Sequence, residues 1–192
     1  KYQGTGNDFV MIDNRSNDFD NQNIQLIQRI CSRRFGVGAD GLILIENSEA
    51  TDFYVNYFNA DGSKSFCGNG ARCAVAFARD IGIIVSETVF DAIDGIHEAK
   101  IADGLIHLKM GDVDSVEVGT DYYFIDTGSP HYMKFVEDLD DWDIYDFGKQ
   151  IRYSDRYKRE GTNVNLIQER EKQLLLRTYE RGVENETFSC GT

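Results

Sequence analysis

The chain has 192 residues, 41% of them hydrophobic and 28% charged, enough for a core in one large domain or two small ones. Its 20 Lys and Arg stand against 33 Asp and Glu, and the net charge of -13 repels phosphate, which argues against nucleic acid or an anionic membrane as partner. No apolar run approaches the roughly 20 residues of a membrane span, and the opening KYQGTGNDFV has no signal-peptide pattern, so the expectation is a cytoplasmic protein.

In chain order, Asn23 caps a predicted helix over IQLIQRICSRR that Gly36 stops. Strands are expected at Leu42–Ile45 and Phe53–Phe58, followed by a turn at Asn59-Ala60-Asp61-Gly62. The apolar spacing of Val75, Phe77, Ala78 and Ile81 predicts a helix over Gly70–Ile81, ended by Gly82. Strands resume over Ile83–Phe90, with turns at Asp94-Gly95 and Asp103-Gly104, and again over Tyr122–Asp126 before Thr127-Gly128-Ser129-Pro130-His131. The acidic stretch Glu137–Asp146 reads as a solvated loop or helix face, and strands close the pattern at Asn163–Gln168 and Gln173–Tyr179. This is a mixed α+β chain.

The cysteines are Cys31, Cys67, Cys73 and Cys190; no pair has C-x-x-C spacing, and the only histidines are His97, His107 and His131. That excludes an ordinary structural zinc site, and a chain of this size needs no disulfide staples. Cys31 reads as a buried small hydrophobe. Cys67 and Cys190 differ, because each is followed by glycine. A faint repeat ties them together: Gly6 of Thr5-Gly6 precedes Cys67 by 61 positions (67 − 6), and Gly128 of Thr127-Gly128 precedes Cys190 by 62 (190 − 128). The repeat predicts two similar halves, 1–118 and 119–192.

Cys67 stands just ahead of a predicted helix, where the first N–H groups have no intrahelical partner and the macrodipole favours an anion. Gly68 and Gly70 allow a carboxylate to approach that backbone closely. A helix start also favours thiolate character. A second copy at Cys190 would add a second thiol and a second set of donors. Two such thiols suit the inversion of an α-carbon, one removing a proton and the other delivering one to the opposite face. A single nucleophilic cysteine would instead want a partner histidine, for which His131 is the candidate.

KYQGTGNDFV, FGVGADGLILIE, YFNADGSKSFCGNGARC, GSPH, the segment around Asn163 and TYERG…CGT together resemble the diaminopimelate epimerase family, in family order along the whole chain. The resemblance implies two pseudo-symmetric α+β domains, each a mixed sheet curled around a central helix, with the site in the cleft between them. It implies a homodimeric isomerase without pyridoxal, metal or other cofactor, interconverting LL- and meso-2,6-diaminopimelate for lysine and peptidoglycan precursors. By the same resemblance Cys67 and Cys190 are the acid/base thiols, and Gly68, Asn69, Gly191 and Thr192 hold the reacting carboxylate. Asn7, Asn59, Asn163 and Arg181 match positions that bind the substrate's polar groups, Arg181 suiting a distal carboxylate. Glu180 would accept from a substrate ammonium, and Glu180 and His131 would tune the thiols. Arg72 and Cys73 are expected to be structural.

Three positions depart from the family pattern. Ser129 stands where Asn is usual and makes a shortened substrate contact, Gly41 stands where some members carry Gln, and the loop after Arg181 is one residue longer. Alternatives are another two-cysteine amino-acid racemase, a non-catalytic form of the fold, and a thiol-redox protein using Cys67 and Cys190. The sequence stops where a second helix is expected to begin, so it reads as part of a longer chain, with half of the second anion seat missing.

Overall fold

The structure, a computed structural model, describes residues 1–190, which fall into two units: Lys1–Met110 and a second that begins at Gly111. Unit 1 runs β1 (Tyr2–Gly4), β2 (Asn7–Asp13), α1 (Ile24–Cys31), β3 (Gly41–Glu46), β4 (Tyr54–Asn59), α2 (Gly68–Asp80), β5 (Glu87–Ala92), β6 (Gly95–Ala102) and β7 (Leu105–Leu108). Its seven strands form one mixed sheet in chain order. The second unit runs β8 (Val116–Val118), β9 (Tyr123–Asp126), β10 (Pro130–Phe135), α3 (Ile144–Arg152), β11 (Asn163–Arg170), β12 (Gln173–Glu180) and β13 (Asn185–Thr187), again one sheet in chain order.

Period-2 alternation on β3 explains how unit 1 is layered. Ile43 and Ile45 join Phe9, Val55 and Tyr57 in the cluster packed on α2, whereas Leu42 and Leu44 join Ile27, Cys31 and Phe58 under α1. Helix α2 touches both edge strands β1 and β7 as well as β2, β3 and β4 between them, so the sheet curls around it. Close approach needs glycine here: a Cβ on Gly70 would sit 3.0 Å from Ile43 Cδ1, and one on Gly4 would sit 3.1 Å from Asn69 O.

The repeat is a repeat of topology. In unit 1, β2 and β3 run parallel around α1 with Phe9 opposite Gly41; in unit 2, β10 and β11 run parallel around α3 with His131 opposite Asn163. Both positions are displaced by the same 122 residues (131 − 9 and 163 − 41). The turns before them match as well, since Gly6 and Gly128 both have φ of 91°. The outer cluster of Tyr132, Val164, Leu166 and Tyr179 against Ile144 repeats the one under α1.

Several bounds differ from the sequence expectation. Helix α1 ends at Cys31, not at Arg34, because residues 32–36 turn back so tightly that a Cβ on Gly36 would lie 1.9 Å from Arg29 O. Helix α2 starts two residues early, with Cys67 at its N-cap. The acidic stretch holds a short 3-10 turn at Leu139–Asp141 and the start of α3, which Asp143 caps by accepting from the Asp146 N–H at 3.0 Å. The helix expected to follow Cys190 would begin at Gly191 and Thr192, outside the described residues. No helix among the described residues is long and apolar enough to cross a membrane.

Candidate active site

In unit 1 the candidate groups gather where α2 begins beside the start of β2. The carbonyl of Cys67 accepts the Ala71 N–H at 2.8 Å, so the N–H groups of Gly68, Asn69 and Gly70 point off the helix start, with no acidic side chain in the first turn. A Cβ on Gly68 would find nothing closer than Arg72 Nη1 at 3.8 Å, which leaves that backbone approachable by a ligand. The Cys67 thiol donates to Asn7 Oδ1 at 3.5 Å, and Asn69 Nδ2 donates to the same oxygen at 3.4 Å. Arg72, read from sequence as structural, bonds Asn69 Oδ1 through Nη2 within α2.

Asn59 belongs to a neighbouring group at the end of β4. Its Oδ1 accepts from Tyr57 OH at 2.8 Å, and its Nδ2 has Ser63 O, Ser63 Oγ and Ser65 Oγ within 3.3 Å. Tyr57 also explains Gly41, since a Cβ there would lie 2.4 Å from the Tyr57 ring. The aromatic ring occupies the space a longer side chain at position 41 would need.

Unit 2 brings Ser129, His131, Asn163 and Arg181 together around the starts of β10 and β11. Asn163 Oδ1 accepts the Arg181 N–H at 2.8 Å, which fixes its amide; Nδ2 then donates to Ser129 Oγ at 3.0 Å. His131 is 4% exposed. Its Nδ1 faces Asn165 Nδ2 at 3.2 Å and its Nε2 faces Asn163 Nδ2 at 3.4 Å. Asn165 is oriented in turn by donating to Tyr132 O and accepting from Thr178 Oγ1. Burial pushes the His131 pKa down to about 4, and the positive charge of Arg181 acts in the same direction, outweighing the contacts with Asn165 and Asp126. His131 is therefore neutral at physiological pH.

Arg181 lies over Gly161, where a Cβ would sit 2.5 Å from its Cδ, and its Nη1 donates to Glu160 O at 2.9 Å. Glu180 ends β12, paired across to Asn185. Cys190 is half-buried beyond β13, and Gly191 and Thr192 lie outside the described residues. None of the four cysteines forms a disulfide. Burial pushes Cys31 and Cys73 up to about 11, which keeps both as inert thiols. Among the described residues no three His, Cys, Asp or Glu side chains converge as a metal site. A cavity of about 550 Å³ lies elsewhere on unit 1, between Asp52 and strands β5–β7, and no candidate residue lines it.

Sequence reasoning did not find Asn165, Thr178, Tyr57 or Asp40. Asn165 had a signal: Asn163 and Asn165 are two apart on one strand and so share a face.

Residues 1–116 match the profile of the family described as diaminopimelate epimerase. A diaminopimelate epimerase of Flavobacterium psychrophilum is 53% identical, the match covering 100% of this chain and 76% of that protein. One of Chlorobaculum tepidum is 44% identical over 98% of this chain and 77% of its own length. Among solved structures, a phenazine biosynthesis protein of Bacillus anthracis aligns with a TM-score of 0.71 at 12% identity, covering 100% of this chain and 73% of that one. A hydroxyproline epimerase of Agrobacterium vitis aligns at 0.56, also 12% identical, over 79% of this chain and 57% of that one. At such identity these two speak for the fold alone.

Proposed function

The chain belongs to the diaminopimelate epimerase family and is an epimerase, and from that premise we propose that it interconverts LL- and meso-2,6-diaminopimelate by two-base proton transfer between Cys67 and Cys190. The observation that carries the reading is the start of α2. There a thiol sits at the N-cap beside three backbone N–H groups, and the first turn has no carboxylate of its own to use them. A substrate α-carboxylate seated on Gly68 and Asn69 would bring its α-carbon to the Cys67 sulfur. The carboxylate gains charge density as the α-proton leaves, so donors held in place stabilise the transition state more than the ground state.

For inversion, the thiolate on one face takes the α-proton and the thiol on the other gives its proton to the carbanion. The substrate leaves inverted and the two sulfurs have exchanged protonation states. Gly191 and Thr192 are assigned the second half of the carboxylate seat. Asn7, Asn59, Ser129 and Asn163 are assigned to the substrate's polar groups, Arg181 to the distal carboxylate and Glu180 to the distal ammonium. His131, with Glu180, is assigned to tuning the thiols. A neutral His131 does so as a hydrogen-bonding dipole and adds no charge. The work is placed in the cytoplasm, in lysine and peptidoglycan precursor supply, by a homodimer of two halves, 1–118 and 119–192, needing no cofactor.

The test is to incubate the protein with LL-diaminopimelate and separate the stereoisomers. The meso form should accumulate with wild-type protein and fall at least a thousandfold, on the order expected for losing an essential acid/base group, in Cys67→Ala and in Cys190→Ala. Undiminished turnover in either variant overturns the reading.

A further inference from the structure

We propose that Asp40 is a positioning residue for Cys67: by fixing the amide of Asn7 it holds a carbonyl oxygen toward the sulfur and keeps Cys67 a thiol when the site is empty. The inference rests on the reading of Cys67 as an acid/base thiol.

An asparagine amide can present either its oxygen or its nitrogen to a neighbour, and only its other contacts decide which. Asn7 Nδ2 lies 2.8 Å from Asp40 Oδ2. An ionised carboxylate has acceptors only, so the nitrogen must face Asp40 and Oδ1 must face the other way, where Cys67 Sγ and Asn69 Nδ2 meet it. A carbonyl oxygen accepts from S–H and repels S⁻, and hydrogen bonding to the neutral form favours that form.

Asp40 is itself held rigidly. Its Oδ2 also accepts the Asp8 N–H at 3.1 Å, its backbone N–H donates to Asp8 Oδ1 at 3.0 Å, and Arg33 Nη2 bonds its Oδ1 at 2.7 Å. Arg33 and Lys1 also pair with Asp8, at 2.9 and 2.8 Å. The same logic orients Asn69, where the cationic Arg72 bonds Oδ1 and leaves Nδ2 pointing to Asn7 Oδ1. A carboxylate and a guanidinium thus set the two amides next to Cys67 in opposite senses. The charged and titratable groups around this end of α2 are Asp8 from β2, Asp40 with Arg33 and Lys1 beside it, and Arg72 on α2. On the β6 side, His97 is stacked on Phe66 at 4.2 Å and paired with Asp94.

The experiment follows the rate of Cys67 alkylation by iodoacetamide against pH, read by mass spectrometry on the peptide that carries Cys67. Asp40→Asn offers Asn7 an alternative orientation, and the alkylation midpoint should fall by about one pH unit, a tenfold gain in thiolate. In an Asn7→Ala background the same substitution should leave the midpoint within about 0.3 unit, because no amide remains to be turned. An equal shift in both backgrounds overturns the proposal, since Asp40 would then act on the sulfur by charge alone. No shift in either background also overturns it. Should Asp40→Asn fail to fold, Asn7→Ala alone removes the carbonyl oxygen from the sulfur and should lower the midpoint; an unmoved midpoint there counts against the proposal. Failure of the underlying reading is separate: Cys67→Ala would then turn over normally, whatever the alkylation midpoints do.

Discussion

The inner faces of the two sheets carry opposite chemistry on one scaffold. In unit 1 the register positions facing α2 are Phe9, Gly41, Ile43 and Tyr57, largely an apolar bed for a helix. Their counterparts in unit 2, at the same places in the parallel pair and its neighbouring strand, are His131, Asn163, Asn165 and Thr178. The first face spends its side chains on packing, which fixes the helix whose start holds Cys67. The second spends them on a buried hydrogen-bond network beside Arg181. The outer faces, under α1 and α3, are apolar in both units. The outer support is thus alike in the two units, while the inner faces differ in chemistry.

The comparison can be broken first at its apolar half. Ile43→Ala removes a fully buried side chain between β3 and α2 and should cost about 2–5 kcal/mol in denaturant unfolding. A cost under about 1 kcal/mol would mean the inner face of unit 1 is not the core described.

The pH dependence of stability separates the units. His131 has its pKa lowered to about 4 from 6.5, so the unfolded chain binds the extra proton first as pH falls. Its contribution, up to roughly 3 kcal/mol by linkage, is fully present above about pH 6.5 and is lost as pH falls through about 4. Asp8 behaves differently: burial alone would raise its pKa, but the hydrogen bonds from Arg33 and Lys1 overcome this and hold it well below the carboxylate range. Its contribution is present above the ordinary Asp pKa of about 3.9 and is lost only below that. His131→Gln should therefore flatten the stability profile between pH 6.5 and 4, and Asp8→Asn should flatten it only below pH 4.

A smaller effect tests the polar network. Asn165→Ala leaves His131 Nδ1 and the Thr178 hydroxyl without their amide partner and should cost about 1–3 kcal/mol by thermal or denaturant unfolding. The smallest tests the shared scaffold: Asn23→Ala and Asp143→Ala each remove an N-cap, from α1 and α3, and should each cost about 1 kcal/mol. A large difference between those two would weaken the idea of a common support.

Local signals carried much of this into the sequence. The strand over Leu42–Ile45, the Thr-Gly turns and the helix carrying Val75 and Ala78 rest on short-range patterns, and each is found within a residue or two of where it was expected. Strand β10 was missed because the sequence reading stopped at the Thr127-Gly128 turn, although Pro130 begins the strand. Helix α3 was obscured because Asp143 and Asp146 look like solvated charge, yet they form its cap, and Ile144, Phe147, Gly148 and Ile151 form its buried stripe. At the site, the thiols and amides are named by their motifs. The orientation of those amides depends on partners far along the chain, such as Asp40 for Asn7, 33 residues apart in sequence. No local pattern encodes that.

The central claim is that two thiols share one inversion, and its most direct measurement is solvent deuterium incorporation at low conversion. With LL-diaminopimelate in D2O, NMR should find one deuterium at the inverted α-carbon of the meso product and almost none in the recovered LL substrate. On the proposed mechanism a separate base takes the original proton and a separate acid supplies the new one. Recovered substrate gaining deuterium as fast as product forms would show a single group working both faces, and would contradict the account.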